Sequence, residues 1–296
     1  MSKRLLFVFN PRSGKGQIKN ELFDIIDVFV KAGYEVVVHP TQGTMDACKC
    51  VKELAERMDL IVCSGGDGTL NEVVTAIEEV KVNVPVGYIP AGSTNDFANS
   101  LDIPKNMMNA AKNIIDGKLY SLDVGTFNDE TFVYVAAFGM LSEVSYETNQ
   151  NLKNILGHLA YILKGAQKIF DMKGHKVRIE ANGNVYEDEY IHGMITNSYS
   201  VGGFQNITGT DIEMDDGLFE VTLIKKPKNV IELNEIIFTL LSAYDNSDMI
   251  DTFKTHRLEV FSEEPLAWTL DGEFGGEITY AKIKNKKQAL DIVINP

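Results

Sequence analysis

Cysteine, histidine and tryptophan are scarce in this chain of 296 residues, at three, five and one. Cys48, Cys50 and Cys63 are odd in number and cannot all pair within the chain. Cys48 and Cys50 stand too close for an ordinary zinc pair, and no second Cys/His pair accompanies them. Reduced, structural cysteines in a cytosolic protein are therefore expected. The five histidines form no ligand spacing. Basic residues are outnumbered, 28 against 42 acidic ones, for a net charge of −14. That balance argues against a nucleic-acid binder, and against adsorption to an anionic membrane unless basic residues cluster locally. No apolar run approaches the ~20 residues of a membrane span. The opening residues enter a strand almost at once, so no signal peptide is expected. A Walker A spacing and a GxGxxG after a strand are both missing, which removes two common nucleotide fingerprints.

What is there is a regular alternation. Residues 4–10, 34–39, 60–63 and 86–89 read as strands, and 18–32, 44–57, 69–79 and 107–116 as helices. Short links between them predict an α/β domain over residues 1–127, a parallel sheet with helices on both faces. Ligands of such sheets bind at the carboxyl ends of the strands. Loops 11–16, 41–44, 65–71 and 92–96 all fall at that edge. Beyond about residue 121 strand-like runs dominate: 132–138, 176–181, 190–197, 218–224, 258–261, 266–270, 278–283 and 290–294. Helices at 152–170 and 230–244 interrupt them. The prediction is a β-rich antiparallel sandwich over 128–296, its last residues able to pack back on the first domain.

Three loops carry chemistry. Asn10-Pro11-Arg12-Ser13-Gly14-Lys15-Gly16 follows the first strand. Arg12 and Lys15 can neutralise phosphate charge, and Ser13 and Gly14 offer donors. Alone, the segment fits a plain turn as well as a ligand loop. Gly65-Gly66-Asp67-Gly68-Thr69-Leu70-Asn71 is more specific, because a strained turn needs one or two glycines, not three around a carboxylate. Glycines leave the amides unshielded, and the helix that follows aims its first N–H groups at the turn. Such a turn binds phosphate, and its carboxylate can orient magnesium there. Glu72 suits the positive end of a helix. Pro90-Ala91-Gly92-Ser93-Thr94-Asn95-Asp96 repeats the logic, with Asn95 or Asp96 either capping the next helix or serving a ligand.

Gly-Gly-Asp-Gly-Thr-Leu-Asn-Glu at 65–72, followed by Pro-Ala-Gly-Ser-Thr-Asn-Asp-Phe-Ala at 90–98, resembles the bacterial soluble diacylglycerol/lipid kinases. That group is related to sphingosine kinases, and the likeness covers essentially the whole chain. NAD kinases and phosphofructokinases are similar in the first motif and the fold outline. The resemblance implies ATP held by Asn10, Pro11, Arg12, Ser13, Gly14, Thr41, Gly65, Gly66, Asp67, Gly68, Thr69, Leu70, Asn71 and Thr94. It implies a catalytic magnesium network on Asp67 and Asp123, and a structural magnesium on Glu213, Asp216 and the Leu218 carbonyl. It makes Glu273, in Leu270-Asp271-Gly272-Glu273, the general base that acts with Asp67 across an interdomain cleft. The plainer readings stay open: an Asp-Gly hairpin with Asp271 as a turn residue, a solvated turn at Asp215-Asp216-Gly217, and a cap or ion pair for Thr41 and Asp123.

The resemblance therefore implies a kinase that uses ATP and Mg²⁺ to phosphorylate diacylglycerol or a similar membrane lipid, giving phosphatidic acid. It would be cytoplasmic and peripheral to the inner face of the membrane. Residues 152–176 are the one basic stretch, where Lys153, Lys164, Lys168, Lys173 and Lys176 face only Asp171. That stretch either touches the bilayer locally or is a core helix with a wet basic side. Two rivals remain, a kinase of a soluble alcohol such as NAD and a non-catalytic nucleotide or lipid sensor. A homo-oligomer is left open.

Overall fold

The structure, a computed structural model, describes residues 2–139, 173–201, 204–205, 212–242 and 247–295. It divides into two compact units, Met1–Val124 with Lys287–Pro296, and Gly125–Lys286.

In the first unit β1 (Lys3–Phe9), α1 (Ile18–Lys31), β2 (Tyr34–Pro40), α2 (Asp46–Leu54), a 3₁₀ turn (Ala55–Arg57) and β3 (Leu60–Gly65) follow one another. Then come α3 (Asp67–Val80), β4 (Val86–Pro90), α4 (Asp96–Ser100) and α5 (Met107–Asp116). The strands lie parallel in the order β4-β3-β1-β2. Leu5, Leu6, Phe7 and Val8 of β1, and Ile61, Val62 and Cys63 of β3, are fully buried. Strands covered on both faces need unbroken apolar runs, which is why these read as such in the sequence. The chain steps from β1 outward to β2, then back past β1 to β3 and on to β4. Right-handed crossovers put α1 on one face and α2 and α3 on the other. Accordingly α1 packs with α5, and α2 with α3. Loops leaving β1 and β3 lead to helices on opposite faces, the switch point at whose carboxyl edge sheets of this kind bind ligands.

Helix α3 starts at Asp67, two residues before the predicted start, because the Gly66 carbonyl already accepts from the amides of Thr69 (3.0 Å) and Leu70 (3.2 Å). The predicted helix 44–57 begins at Asp46 and tightens into the 3₁₀ turn after Leu54. Cys48, Cys50 and Cys63 are free thiols, all buried. Burial pushes the Cys50 thiol up to about 11, so it carries no reactive thiolate at neutral pH.

Strand β5 (Lys118–Phe127) leads from the first unit into the second. There β6 (Glu130–Phe132), β7 (Val135–Gly139), β8 (His175–Ala181), β9 (Asn184–Thr196), β10 (Ser200–Val201), β11 (Phe204–Gln205) and β12 (Phe219–Lys225) follow. The chain continues through α6 (Val230–Ser242), β13 (Ile250–Thr255), β14 (Arg257–Leu270) and β15 (Glu273–Ile294). The strands of this unit run antiparallel in the order β13-β12-β9-β7-β14-β15, with β8 pairing both β9 and β14. Their inner faces close on one apolar cluster. At its centre Trp268 meets Phe127 and Phe138 at ring separations of 4.8 and 5.0 Å. The end of β15 belongs to the first unit, where Ile292 pairs in parallel with Val86 of β4.

Three sequence assignments change. The predicted strand 132–138 is two strands, because the Val133 and Tyr134 amides leave the ladder for the carboxylate of Asp271. Val133 N–H donates to Oδ2 (2.6 Å), and the Tyr134 and Val135 N–H groups donate to Oδ1 (2.9 and 3.0 Å). Conversely, 258–261 and 266–270 merge into β14 across a register shift that absorbs Pro265, a residue with no N–H to give. Likewise 278–283 and 290–294 merge into β15, through a polar Asn285–Gln288 run that hid the continuity. Strands β5 and β13 were not predicted at all. The predicted 152–170 helix lies outside the described residues, as does most of 152–176. Of its lysines, Lys173 pairs with Glu264 (2.6 Å) and Lys176 with Glu263 (3.2 Å). No helix among the described residues is long and apolar enough to cross a membrane.

Two stability predictions follow from buried polar groups. Asp271→Ala strands three amides, each costing ~1–3 kcal/mol when unsatisfied, so urea denaturation loses about 3 kcal/mol or more. His192 of β9 is fully buried, its Nδ1–H donating to Phe138 O at 2.8 Å, and burial lowers its pKa from 6.5 to about 4. The native state thus holds it neutral while the unfolded chain protonates it. Its contribution is whole above pH 6.5 and is lost as pH falls through about 4, an effect of ~3 kcal/mol. The urea midpoint of the wild-type chain falls across that window, and His192→Gln flattens the profile.

Candidate active site

The loops after β1, β3 and β4 converge at the carboxyl edge of the first unit's sheet. Asn10 opens the first loop, its amide donating to Ser64 O of β3 (2.8 Å). The Asn10 side chain accepts from the Arg12 amide (2.9 Å), and its carbonyl accepts from the Ser13 amide (3.2 Å), curling the loop tightly. Ser13 Oγ then accepts from the Gly66 amide (3.2 Å) and ties the first loop to the second. Gly14 has φ +55°, and a Cβ there would lie 2.4 Å from the Ala91 carbonyl oxygen, so only glycine lets the first loop meet the third. A Cβ on Gly92 would lie 2.7 Å from the Gly66 Cα, so the second and third loops also touch backbone to backbone. Arg12 and Lys15 are exposed, and Pro11 is half-buried.

Asp67 is the first residue of α3 and half-buried, and its Oδ2 accepts from the Asp96 amide (3.2 Å). The positive end of the helix favours a carboxylate there. Gly68, Thr69, Leu70 and Asn71 complete the first turn, with Thr69 and Leu70 buried. Asn95, at φ +53°, closes the third loop: its side chain accepts from the Gly92 amide (2.8 Å) and donates to the Gly92 carbonyl (2.9 Å). Thr94 lies on that loop, its carbonyl accepting from Asn99 (3.2 Å), and Thr41 follows β2, its amide donating to Phe9 O (2.9 Å). Glu72 does not serve its own helix. Its carboxylate accepts from the amides of Met45 (2.8 Å) and Ala47 (3.1 Å) at the start of α2.

Asp123 is fully buried on β5, its Oδ1 accepting from the Gln288 amide (2.8 Å). Tyr88 of β4 escaped the sequence reading because a tyrosine in an apolar strand looks like core. Its hydroxyl donates to Gly65 O (3.1 Å) and lies 3.5 Å from Asn95 Oδ1. Burial, with the Asp67 charge adding to it, raises its pKa well above that of an ordinary phenol and keeps it a donor. The signal was there: a buried tyrosine must place its hydroxyl somewhere.

In the second unit, Leu270 and Glu273 pair across the β14–β15 hairpin, whose central residues Asp271 and Gly272 have φ +50° and +85°. Two positive φ values mark a type I′ turn. Asp271 is more than a turn residue, since its buried carboxylate holds the 133–135 backbone. That leaves Glu273 exposed on a hairpin end fixed from beneath. Elsewhere in this unit, Asp216 Oδ1 accepts from the Leu218 amide (2.7 Å), and its Oδ2 lies 3.8 Å from Lys254 Nζ. Lys254 also lies 3.2 Å from buried Glu220, whose pKa desolvation raises to about 7. Glu213 is exposed. Among the described residues no three His, Cys, Asp or Glu side chains gather as a metal site.

The first-unit loops fit a polyphosphate with its magnesium. They offer amides uncovered by side chains, a helix start, a carboxylate and two exposed cations. Around Asp216 the oxygen donors suit a hard cation, with Lys254 competing for the same carboxylate.

Residues 4–127 match the family model described as the diacylglycerol kinase catalytic domain, and 134–294 match the YegS C-terminal NAD kinase beta sandwich-like domain. A relative named diacylglycerol kinase from Bacillus subtilis (strain 168) is 36% identical over 276 residues, covering 93% of this chain and 91% of that one. Another of that name, from Staphylococcus aureus (strain MRSA252), is 36% identical over 295 residues, 99% and 92% of the two chains. A solved diacylglycerol kinase structure from Bacillus anthracis str. Sterne superposes with a TM-score of 0.78 at 23% identity, over 100% of this chain and 98% of that one, and supports the fold. With its three glycine-bound loops, its antiparallel second unit and relatives matched nearly end to end, the chain belongs to the diacylglycerol kinase family.

Proposed function

We propose that this protein transfers the γ-phosphoryl group of ATP to the free hydroxyl of diacylglycerol or a similar membrane lipid, giving phosphatidic acid and ADP. The observation that carries the reading is the meeting of three glycine-bearing loops at Asp67, the first residue of α3. Asn10–Gly14, Thr41, Gly65–Asn71 and Thr94 would hold the nucleotide, with Arg12 or Lys15 offsetting phosphate charge. Asp67, with Asp123, would hold magnesium, which when bound neutralises charge on the β- and γ-phosphates. Glu273 would take the proton of the lipid hydroxyl as its oxygen bonds to the γ-phosphorus. The bridging P–O bond breaks and ADP leaves with the electron pair. Glu213, Asp216 and the Leu218 carbonyl would hold a second, structural magnesium that braces the second unit.

The relatives, both named diacylglycerol kinase, favour diacylglycerol over NAD as acceptor. The Asn-Asp-Phe-Ala segment and the Leu-Asp-Gly-Glu turn point the same way. Localisation at a membrane surface follows from the substrate, and an assembly of copies is compatible with it.

Three variants test the assignment on diacylglycerol-containing vesicles. Asp67→Ala and Glu273→Ala each lower turnover by ~10²-fold or more while leaving the urea midpoint near that of the wild-type chain. Full activity in either removes that residue from the mechanism. Gly14→Val drives a branched side chain against Ala91 at a positive φ, and the KM for ATP rises by about tenfold or more. An unchanged KM for ATP would take the first loop out of the nucleotide site.

A further inference from the structure

The peptide between Gly65 and Gly66 is gripped from both sides. Its carbonyl oxygen accepts from the Ala91 amide (2.7 Å) and from the Tyr88 hydroxyl (3.1 Å). Its N–H donates to Ser13 Oγ (3.2 Å). In a trans peptide the C=O and N–H point in opposite directions, so holding one end aims the other. The plane needs holding, because both of its residues are glycines and neither carries a side chain to anchor it. Ala91 supplies one anchor through the β3–β4 ladder, which ends there at the Gly65–Pro90 register pair. Tyr88 supplies the other. It is 1% exposed, and its hydroxyl donates to Gly65 O at 3.1 Å, the nearer of its two acceptors, with Asn95 Oδ1 at 3.5 Å.

We propose that Tyr88 is a positioning residue of the nucleotide-phosphate site: through the Gly65 carbonyl it fixes the peptide plane whose Gly66 N–H holds Ser13 Oγ, so that the Ser13 hydroxyl keeps its own proton to donate to a phosphate oxygen of the nucleotide. This rests on the nucleotide reading of the three loops given above. The residue never touches the ligand. It acts by removing the rotational freedom that a glycine–glycine peptide would otherwise lose on binding. Its effect belongs to nucleotide binding and not to the acceptor.

The test is Tyr88→Phe, which deletes one oxygen and keeps the ring that packs edge-on against Phe97. Steady-state kinetics with Mg·ATP and diacylglycerol vesicles should show the KM for ATP raised about fivefold, the scale of one neutral hydrogen bond, with the KM for the lipid unchanged and kcat within twofold. A merely structural role would lower the active fraction, and so kcat, without moving the KM for ATP, and that result overturns the proposal. Ser13→Ala and the double variant supply a second readout. If both residues act on one peptide, their effects on the KM for ATP multiply to less than the product of the single effects, whereas strict multiplication overturns the shared lever. Asp67→Ala separates the two levels. Lost turnover there with an unchanged KM for ATP in Tyr88→Phe defeats only the Tyr88 assignment, and unchanged kinetics in both defeats the nucleotide site itself.

Discussion

The Gly65–Gly66 peptide, held by β4 on one side and by the first loop on the other, is the constraint on which the first unit's chemistry depends. Backbone amides are useful phosphate donors only where side chains do not cover them, and glycine is the residue that uncovers them. The same choice makes the backbone loose. This fold resolves the conflict by rooting each glycine loop in a buried parallel strand, cross-linking the loops through Ser13, Ala91 and Tyr88, and closing the third loop on itself through Asn95. Close backbone approaches at Gly14 and Gly92 lock the loops further, because a Cβ there would lie 2.4 Å from Ala91 O or 2.7 Å from the Gly66 Cα. The rigid sheet therefore sets the geometry, and the helix start at Asp67 sets the electrostatics.

A similar economy governs the second unit. Its core is apolar and aromatic, yet one buried carboxylate, Asp271, organises the turn at 133–135 and the hairpin that carries Glu273. A side chain on a hairpin tip would ordinarily be mobile. Here the residue two positions earlier is tied to three amides from a distant strand junction, so the tip is held by the interior of the unit. Asp271 and Tyr88 thus share a logic: each is a buried polar group whose hydrogen bonds shape a neighbouring backbone segment.

Much of this was legible in the chain itself. The α/β alternation of the first unit could be read because central parallel strands must be continuously apolar and their helices amphipathic. The three loops were legible because glycine, hydroxyl and carboxylate residues recur directly after those strands. What stayed hidden was of one kind, interactions between residues far apart in sequence. Glu72 looked like the acid of its own helix and instead caps α2 through Met45 and Ala47. Asp271 looked like a turn residue because Asp-Gly is a strong local signal, and nothing local reveals amides more than 130 positions away. Strand β15 was divided because Asn285–Gln288 breaks the apolar pattern without breaking the strand.

The central claim is that these loops deliver the γ-phosphoryl group of ATP to an oily alcohol. The most direct measurement is the fate of γ-labelled ATP incubated with the protein, magnesium and a total lipid extract supplemented with NAD, with the products separated and identified by mass. The account predicts label in the lipid fraction, at the mass of phosphatidic acid and matched by loss of diacylglycerol. Label in a soluble phosphorylated product such as NADP, with none in lipid, contradicts it.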